Sequence, residues 1–182
     1  MASIVVAGDT SGTVTLTAPL VAGTTTLTLP TVNGTVLTNA SSVARSQLPA
    51  GSVLQIINGN VTGNSTSSTT FVDSGLTASI TPFFSTSRIF IIVSGICRPT
   101  NTRGGFALVR NSTTLFSLQE ANGTNAQTPY AFNFLDSPAT TSSTTYKLQI
   151  ACSSGGGTFT IADAGAVPVG NINYITLMEI AG

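Results

Sequence analysis

A two-residue repeat of polar and apolar side chains constrains the fold of this chain more than any other feature. In the stretch TVTLTAPLVAGTTTLTLP at residues 13–30, threonine alternates with an aliphatic or small residue, pauses at Ala-Pro and Ala-Gly, and resumes. This is the period of a β-strand, whose successive side chains point to opposite faces of a sheet. No window of a dozen residues shows the three- and four-residue spacing of an amphipathic helix. The sequence therefore predicts an all-β protein.

The first 39 residues predict a small β-rich module. Ile4 and Val6 share one face of a first strand, and the sequence GDTSG at residues 8–12 predicts a turn into a second strand. Three or four short strands with one thin apolar face need something to pack against. We therefore expect residues 1–39 to be an attachment module. Its candidate interface contacts are Val14, Leu16, Leu27 and Leu29.

Residues 40–51 predict a linker with one helical turn before Pro49, and a larger domain follows at residues 52–182. All nine phenylalanines and all three tyrosines lie after residue 70. About ten candidate strands separated by polar turns are typical of a β-sandwich or jelly roll. The predicted strands are 52–58, 69–75, 76–82, 88–97, 105–111, 113–119, 130–136, 144–152, 157–163 and 173–181.

Three of these strands predict how their faces are used. The strand TTYKLQIACS is amphipathic, with Tyr146, Leu148, Ile150 and Cys152 inward and Lys147 and Gln149 outward. The strands RIFIIVSGIC and NYITLMEI are apolar on both faces, although a sandwich strand normally keeps one polar face. A second burial surface is therefore expected on these two strands, and subunit contact is its simplest source. The candidate core or trimer contacts are Ile91, Val93, Ile175 and Leu177.

The composition is nearly free of charge. Six basic and six acidic residues make up 7% of the chain, against roughly 25% in an average domain, while 31 threonines and 21 serines supply polarity. Such a surface suits permanent assembly with neighbouring proteins. Six scattered cations cannot form a stripe that follows phosphates, so we expect no nucleic-acid partner. The longest apolar run, IFIIV, is much shorter than the roughly 20 residues of a membrane-spanning helix, so we expect no membrane partner.

The N-terminus and the cysteines indicate where the chain folds. The sequence MASIVVAGDTSG lacks a cationic segment before its apolar residues, which predicts no secretory signal and folding in a cytoplasm. Without such a signal, Cys97 and Cys152 are interpreted as small buried apolar residues; the alternative is a disulfide or a reactive thiol.

The sequence offers little for catalysis. It contains no histidine, which removes every Ser-His-Asp, Cys-His and histidine-ligated metal arrangement. Glycoside hydrolysis needs two carboxylates close together, and Asp73 and Asp136 are interpreted instead as turn residues that bond the local backbone. We therefore expect no enzyme activity, no cofactor and no metal, and a polysaccharide depolymerase using Asp73 or Asp136 is the competing hypothesis.

The sequence RPTNTRGG at residues 98–105 predicts a loop that holds two of the six cations. Arg98 and Arg103 are therefore candidate contacts to a receptor or carbohydrate. The alternative is a solvated loop with two charges and no ligand.

Several strings resemble proteins of tailed bacteriophages. GDTSGTVTLTAPLVAGTTTLTLPTVNGTVLT is similar to a module of tail-fibre-like virion proteins. FVDSGLTASITP, ALVRNSTTLF, FLDSPATTSSTTYKLQIACSSGGGTFTIAD and ITLMEIAG resemble the head domain that often follows it. The resemblance covers about residues 8–38 and 52–182. It implies a homotrimeric jelly-roll head, similar to the C1q and tumour-necrosis-factor fold, on a β-rich attachment module.

The chain differs from that family in length, since such fibre proteins commonly carry an anchoring domain and a shaft in front. Its shortness favours a non-enzymatic capsid decoration (cement) or head-fibre protein on the capsid surface, with the major capsid protein as partner. The alternative is a short tail fibre, mounted on a tail or baseplate protein, whose loops at 98–105 and 122–129 bind host-surface glycans.

Overall fold

The structure is a computed structural model that describes residues 3–7, 11–17, 21, 23–24, 42–120, 125–162 and 172–182. The chain divides into two compact units, Met1–Ser42 and Val43–Gly182. Apart from one short 3₁₀ turn, every regular element in the described residues is a β-strand. The all-β fold predicted from the two-residue repeat is confirmed.

The first unit contains an antiparallel hairpin. It is formed by β1 (Ser3–Ala7) and β2 (Thr13–Thr17). The register sets Ile4 opposite Leu16 and Val6 opposite Val14, so the apolar positions of the two strands are in phase. The predicted strand through Leu27 and Leu29 lies outside the described residues.

The second unit is a sandwich of two antiparallel sheets, preceded by a 3₁₀ turn at Arg45–Gln47. The turn lies just before Pro49, where one helical turn was predicted. The strands of the sandwich are β3 (Val53–Val61), β4 (Asn64–Thr66), β5 (Val72–Ile80), β6 (Arg88–Thr100), β7 (Gly104–Arg110), β8 (Thr113–Glu120), β9 (Thr128–Asp136), β10 (Thr144–Cys152), β11 (Thr158–Ile161) and β12 (Asn173–Ile180).

The smaller sheet has the strand order β5-β10-β7-β8, and the larger sheet is built around β6. One edge of β6 pairs with β9 over Ile89–Cys97. The other edge pairs with β12 along Arg88–Ser94 and with β11 along Cys97–Thr100. These two strands lie on the edge opposite β9, because residues such as Ile91 and Cys97 of β6 are paired on both sides. In turn, β3 pairs with β12 and β4 with β11. The six strands therefore fill four strand positions.

The core lies between the two sheets and follows the alternation of the strands. Tyr146, Leu148, Ile150 and Cys152 are at most 2% exposed, while Lys147 and Gln149 between them are partly exposed, which confirms the amphipathic prediction for β10. An aromatic group fills one side of the core, in which the Phe106 ring lies 4.4 Å from Tyr130 and 5.2 Å from Phe159. Rings at these separations add to the stabilisation that burial provides.

Both cysteines belong to this core. Cys97 and Cys152 are both buried and are not joined by a disulfide. The Cys152 thiol donates weakly to the carbonyl of Thr66 at 3.3 Å. The prediction of two small buried apolar residues is confirmed.

The strand boundaries differ from the prediction around Gly75. Two strands were predicted at 69–75 and 76–82, but the structure has one, β5, which passes through Gly75 with a φ of +81°. Glycine adopts this positive φ without steric cost, so it bends the strand and does not end it. The three-residue strand β4 was not predicted, because so short a segment has no visible period.

Candidate interaction surface

The outer face of the larger sheet carries an apolar row across four strands. The register aligns Ile56 of β3, Met178 of β12, Phe90 of β6 and Leu135 of β9. Each lies next to an inward-facing residue, so all four point away from the core. We call these four residues the apolar row. Ile56 is 53% exposed and Leu135 is 44% exposed.

The row on one side of the apolar row is neutral, whereas the row on the other side holds an exposed cation, Arg88, which pairs with Ile180 of β12. The neutral row is Asn58, Thr176, Ile92 and Asn133. Tyr174 and Val53, which lie near the two ends of the face, are 47% and 49% exposed. Four strands about 4.8 Å apart and about seven residues long cover about 400–500 Å². That area includes polar side chains, and the exposed apolar row within it is a candidate interaction site.

The structure places the predicted core or trimer contacts on the opposite face of this sheet. Ile91 pairs with Leu177 and Val93 pairs with Ile175. All four side chains are fully buried between the sheets of a single chain. They therefore form the core, and the alternate residues of the same strands are the ones that a partner can reach.

Sequence reasoning missed Ile56 and Leu135 of the apolar row. Phe90 and Met178 lie on the strands recognised as apolar on both faces, whereas Ile56 and Leu135 lie on strands that carried no such prediction. The signal that joins them is cross-strand register, which depends on pairing between distant segments.

Of the predicted attachment contacts, Val14 and Leu16 lie on β2 of the N-terminal hairpin, and Leu27 and Leu29 lie outside the described residues. On β1, Val5 and Val6 are 57% and 58% exposed. Because adjacent residues of a strand face opposite sides, the hairpin has an exposed valine on each face.

The two arginines of the predicted receptor loop are separated by the structure. Arg98 lies within β6 and pairs with Thr160 of β11, so it is not a loop residue. Arg103 lies in the turn that follows β6. Its backbone N–H donates to Ser153 Oγ at 3.2 Å, and its carbonyl accepts from Ser153 N–H at 2.9 Å.

Asp136 is the centre of a buried polar network, which corrects its interpretation as a turn residue. Arg110 Nη1 donates to Asp136 Oδ1 at 3.0 Å and to Oδ2 at 2.9 Å. The Tyr146 hydroxyl donates to Oδ2 at 2.6 Å. Burial, followed by this bond to the carboxylate, raises the pKa of Tyr146 well above its usual range. Three strands, β7, β9 and β10, are thus joined by one carboxylate inside the sandwich.

Asp73 also bonds side chains of a neighbouring strand, so its interpretation as a turn residue is wrong as well. It accepts from Lys147 Nζ at 2.8 Å and from Gln149 Nε2 at 2.7 Å. These bonds hold the pKa of Asp73 below its usual value, the Lys147 bond being the larger cause. Asp73 lies on the outer face of the smaller sheet, whereas Asp136 lies in the interior. The two carboxylates therefore do not face a common cleft, as a glycosidase pair must.

Glu179 and Asn173 fill structural positions at the two ends of β12. Glu179 is buried, and it accepts from Gln55 Nε2 at 2.6 Å and from the Phe83 N–H at 2.7 Å. Asn173 Oδ1 accepts from the Ile96 N–H at 2.9 Å, and Asn173 Nδ2 donates to the Tyr130 hydroxyl at 2.7 Å. Both side chains satisfy backbone or buried polar groups, and neither opens on a cleft.

Two features are missing from the described residues. Nowhere among them do three or more Cys, Asp or Glu side chains gather in a way that could hold a metal ion. None of their helices is long and apolar enough to cross a membrane.

Comparison with known proteins gave distant structural likenesses only. No family model matches the chain, and no curated protein matches it. A mutant VP2 protein of infectious bursal disease virus, from derived T=1 particles, is similar at 13% identity and a TM-score of 0.39, over 82% of this chain and 42% of that one. The VP2 subviral particle of the same virus has 12% identity and a TM-score of 0.35, over 71% and 42% of the two chains.

A different likeness is to dimeric latent PorU from Porphyromonas gingivalis, at 10% identity and a TM-score of 0.33. It covers 73% of this chain and 13% of the PorU chain. This chain thus spans less than half the length of each of these proteins. At such TM-scores, none of the likenesses bears on what this chain does.

Proposed function

We propose that the protein is a non-enzymatic structural protein of a phage virion, a trimeric capsid decoration or head-fibre protein. The observation that carries the proposal is the apolar row, exposed on a sandwich whose chain has almost no charge. An exposed apolar row with few charges around it is the kind of surface that a lasting contact buries. The resemblance of the sequence to tail-fibre-like modules supplies the virion context.

In this proposal, three copies present the apolar outer face of the larger sheet to one another around a three-fold axis. Burial of apolar surface contributes about 25 cal/mol per Å² before the costs of association. Only the apolar part of the face contributes in this way, because Asn58, Thr176, Asn133 and Arg88 share it. The four residues of the apolar row are the first contacts to test.

The N-terminal unit is the proposed attachment to the capsid. Its hairpin exposes Val5 and Val6, and a two-stranded hairpin is at best marginally stable without a partner. The major capsid protein is the proposed partner. Three linked weak attachments act together as one strong attachment, because binding of the first raises the effective concentration of the others.

Gold labelling of virions of the encoding phage tests the proposed place. An antibody against residues 52–182 is applied to intact particles, and the same antibody blocked with purified protein is the control. We expect label over the capsid surface. Label confined to the tail would replace the capsid role by the alternative, a short tail fibre that binds host glycans. No label on the particles would overturn the virion role.

A further inference from the structure

A cavity of about 270 Å³ opens on the outer face of the smaller sheet. Its floor is formed by Gly105 of β7 and Ala151 of β10, which are paired in register. A Cβ added at Gly105 would lie 3.6 Å from the ring of Phe71. The cavity therefore exists because the floor carries almost no side-chain volume.

The rest of the lining combines one aromatic ring and three hydroxyl-bearing residues with Leu118 and Cys152. Phe71 is 41% exposed, which is a large fraction for a phenylalanine of a folded domain. Thr69, Ser117 and Ser153 also line the cavity. Within the described part of the chain, the hydroxyls of Thr69 and Ser117 make no hydrogen bond. The lining contains no charged side chain.

Two hydrogen-bonded loops hold this lining in place. The loop that contains Ser153 is fixed to Arg103 by the two bonds described above. The segment before Phe71 is fixed through Ser68, whose carbonyl accepts from the Cys152 N–H at 2.7 Å and whose hydroxyl donates to the carbonyl of Thr70 at 2.7 Å. A lining fixed before a ligand arrives loses little entropy on binding.

We propose that this cavity binds one neutral pyranose ring of a carbohydrate. The C–H face of a pyranose packs on an aromatic ring, whose face carries partial negative charge. Its hydroxyls exchange hydrogen bonds with serine and threonine hydroxyls, which both donate and accept. The volume is below the roughly 300–1,000 Å³ of pockets for drug-sized ligands, so it suits a single ring. An uncharged lining disfavours an ionised sugar, because its charge would lose water without gaining a partner.

The cavity does not depend on the proposed trimer or on a capsid location. It lies on the smaller sheet, whereas the apolar row lies on the outer face of the larger sheet. A trimer formed through the apolar row therefore leaves the cavity accessible. The carbohydrate site can fail while the trimer stands, and the reverse also holds.

A nuclear magnetic resonance titration of the full, ¹⁵N-labelled chain tests the site. The probes are the methyl pyranosides of glucose, galactose, mannose and N-acetylglucosamine, with glucuronate as the charged comparison. We expect saturable shifts of the backbone amides of Gly105, Ser117 and Ser153 with at least one neutral sugar. No saturable shift with any neutral sugar, or stronger binding of glucuronate, would overturn the proposal.

Three variants connect the binding to the cavity. Phe71→Ala removes the ring and is expected to weaken binding at least tenfold. Gly105→Ala adds a Cβ at an ordinary van der Waals distance, so the chain still folds, and it is expected to weaken binding by reducing the cavity. Phe83→Ala is the matched control, since Phe83 is 39% exposed and lies outside the lining. Equal binding by wild type and Phe71→Ala would contradict the assignment.

Discussion

The two sheets of the sandwich share one core but differ in their outer faces. The smaller sheet faces outward with polar groups such as Thr77, Ser79 and Lys147, and Ser79 Oγ lies 2.7 Å from Thr145 Oγ1. The larger sheet faces outward with the apolar row. An antiparallel sheet needs only one apolar face to fold. The apolar row is therefore surplus to folding, and it is the surface on which the proposed contact with other copies rests.

Replacing the two aspartates compares the stabilisation given by a buried carboxylate with that given by an exposed one. Asp136→Ala leaves the Arg110 guanidinium and the Tyr146 hydroxyl without their acceptor, so we expect the free energy of unfolding to fall by about 3 kcal/mol. The matched change is Asp73→Ala, because the Asp73 side chain is 56% exposed. It is expected to cost less than about 1 kcal/mol. Urea denaturation of both variants measures the difference, and equal losses would contradict the comparison.

The buried tyrosines predict a loss of stability in alkali. Burial raises the pKa of both Tyr130 and Tyr146 above its usual value. Their contribution is fully present below about pH 10, where unfolded tyrosines begin to ionise, and it is lost as the pH rises towards the folded pKa values. Between the unfolded and the folded pKa, each tyrosine lowers the free energy of unfolding by about 1.4 kcal/mol per pH unit. Above pH 10, the free energy of unfolding should fall with pH less steeply in Tyr146→Phe than in wild type, by that amount per pH unit. An unchanged slope would mean that Tyr146 ionises in the folded chain.

Introducing one lysine on each outer face tests whether the two faces differ in self-association. Leu135→Lys places an ammonium group in the apolar row, and burying it in a subunit contact is costly. We expect self-association to weaken at least about hundredfold, or about 2.7 kcal/mol. Thr77→Lys is the control on the smaller sheet and should leave association unchanged. Sedimentation of both variants makes the comparison, and an equal effect of the two would remove the distinction between the faces.

The smallest predicted effect is the loss in acid of the stabilisation that Asp73 gives on the polar face. Because the pKa of Asp73 is lowered in the folded chain, its stabilisation is present above about pH 4 and is lost as the pH falls through the folded pKa. At pH 6 the free energy of unfolding of wild type should exceed that of Asp73→Asn by less than about 1 kcal/mol, since the carboxylate is exposed and screened. The difference should vanish near pH 2. A difference that persists there would come from some other interaction.

Much of the fold could be predicted from local pattern. The alternation in β10 identified its inward side chains, and the pattern of β6 and β12 identified apolar residues on both of their faces; the second burial surface expected from them stays a prediction. The predictions failed where a residue's partner is distant in sequence. Asp136 was interpreted as a local turn residue, whereas its partner Arg110 lies 26 residues away. No local pattern contains such a pairing.

The same limit applies to the surfaces. The register of four strands is needed to bring Ile56 and Leu135 into one row. The cavity beside Phe71 needs three separate segments to meet, and its main determinant is the missing side chain of Gly105. Sequence spacing reports the face of a strand, but it does not report which strands are neighbours.

Whether the chain forms a trimer is decided by its mass in solution. Light scattering at micromolar concentration should give about 55 kDa, three times the 18.4 kDa of one chain, and Leu135→Lys should give 18.4 kDa. A wild-type mass of 18.4 kDa would contradict the account, because the apolar row would then remain exposed to water in the free protein.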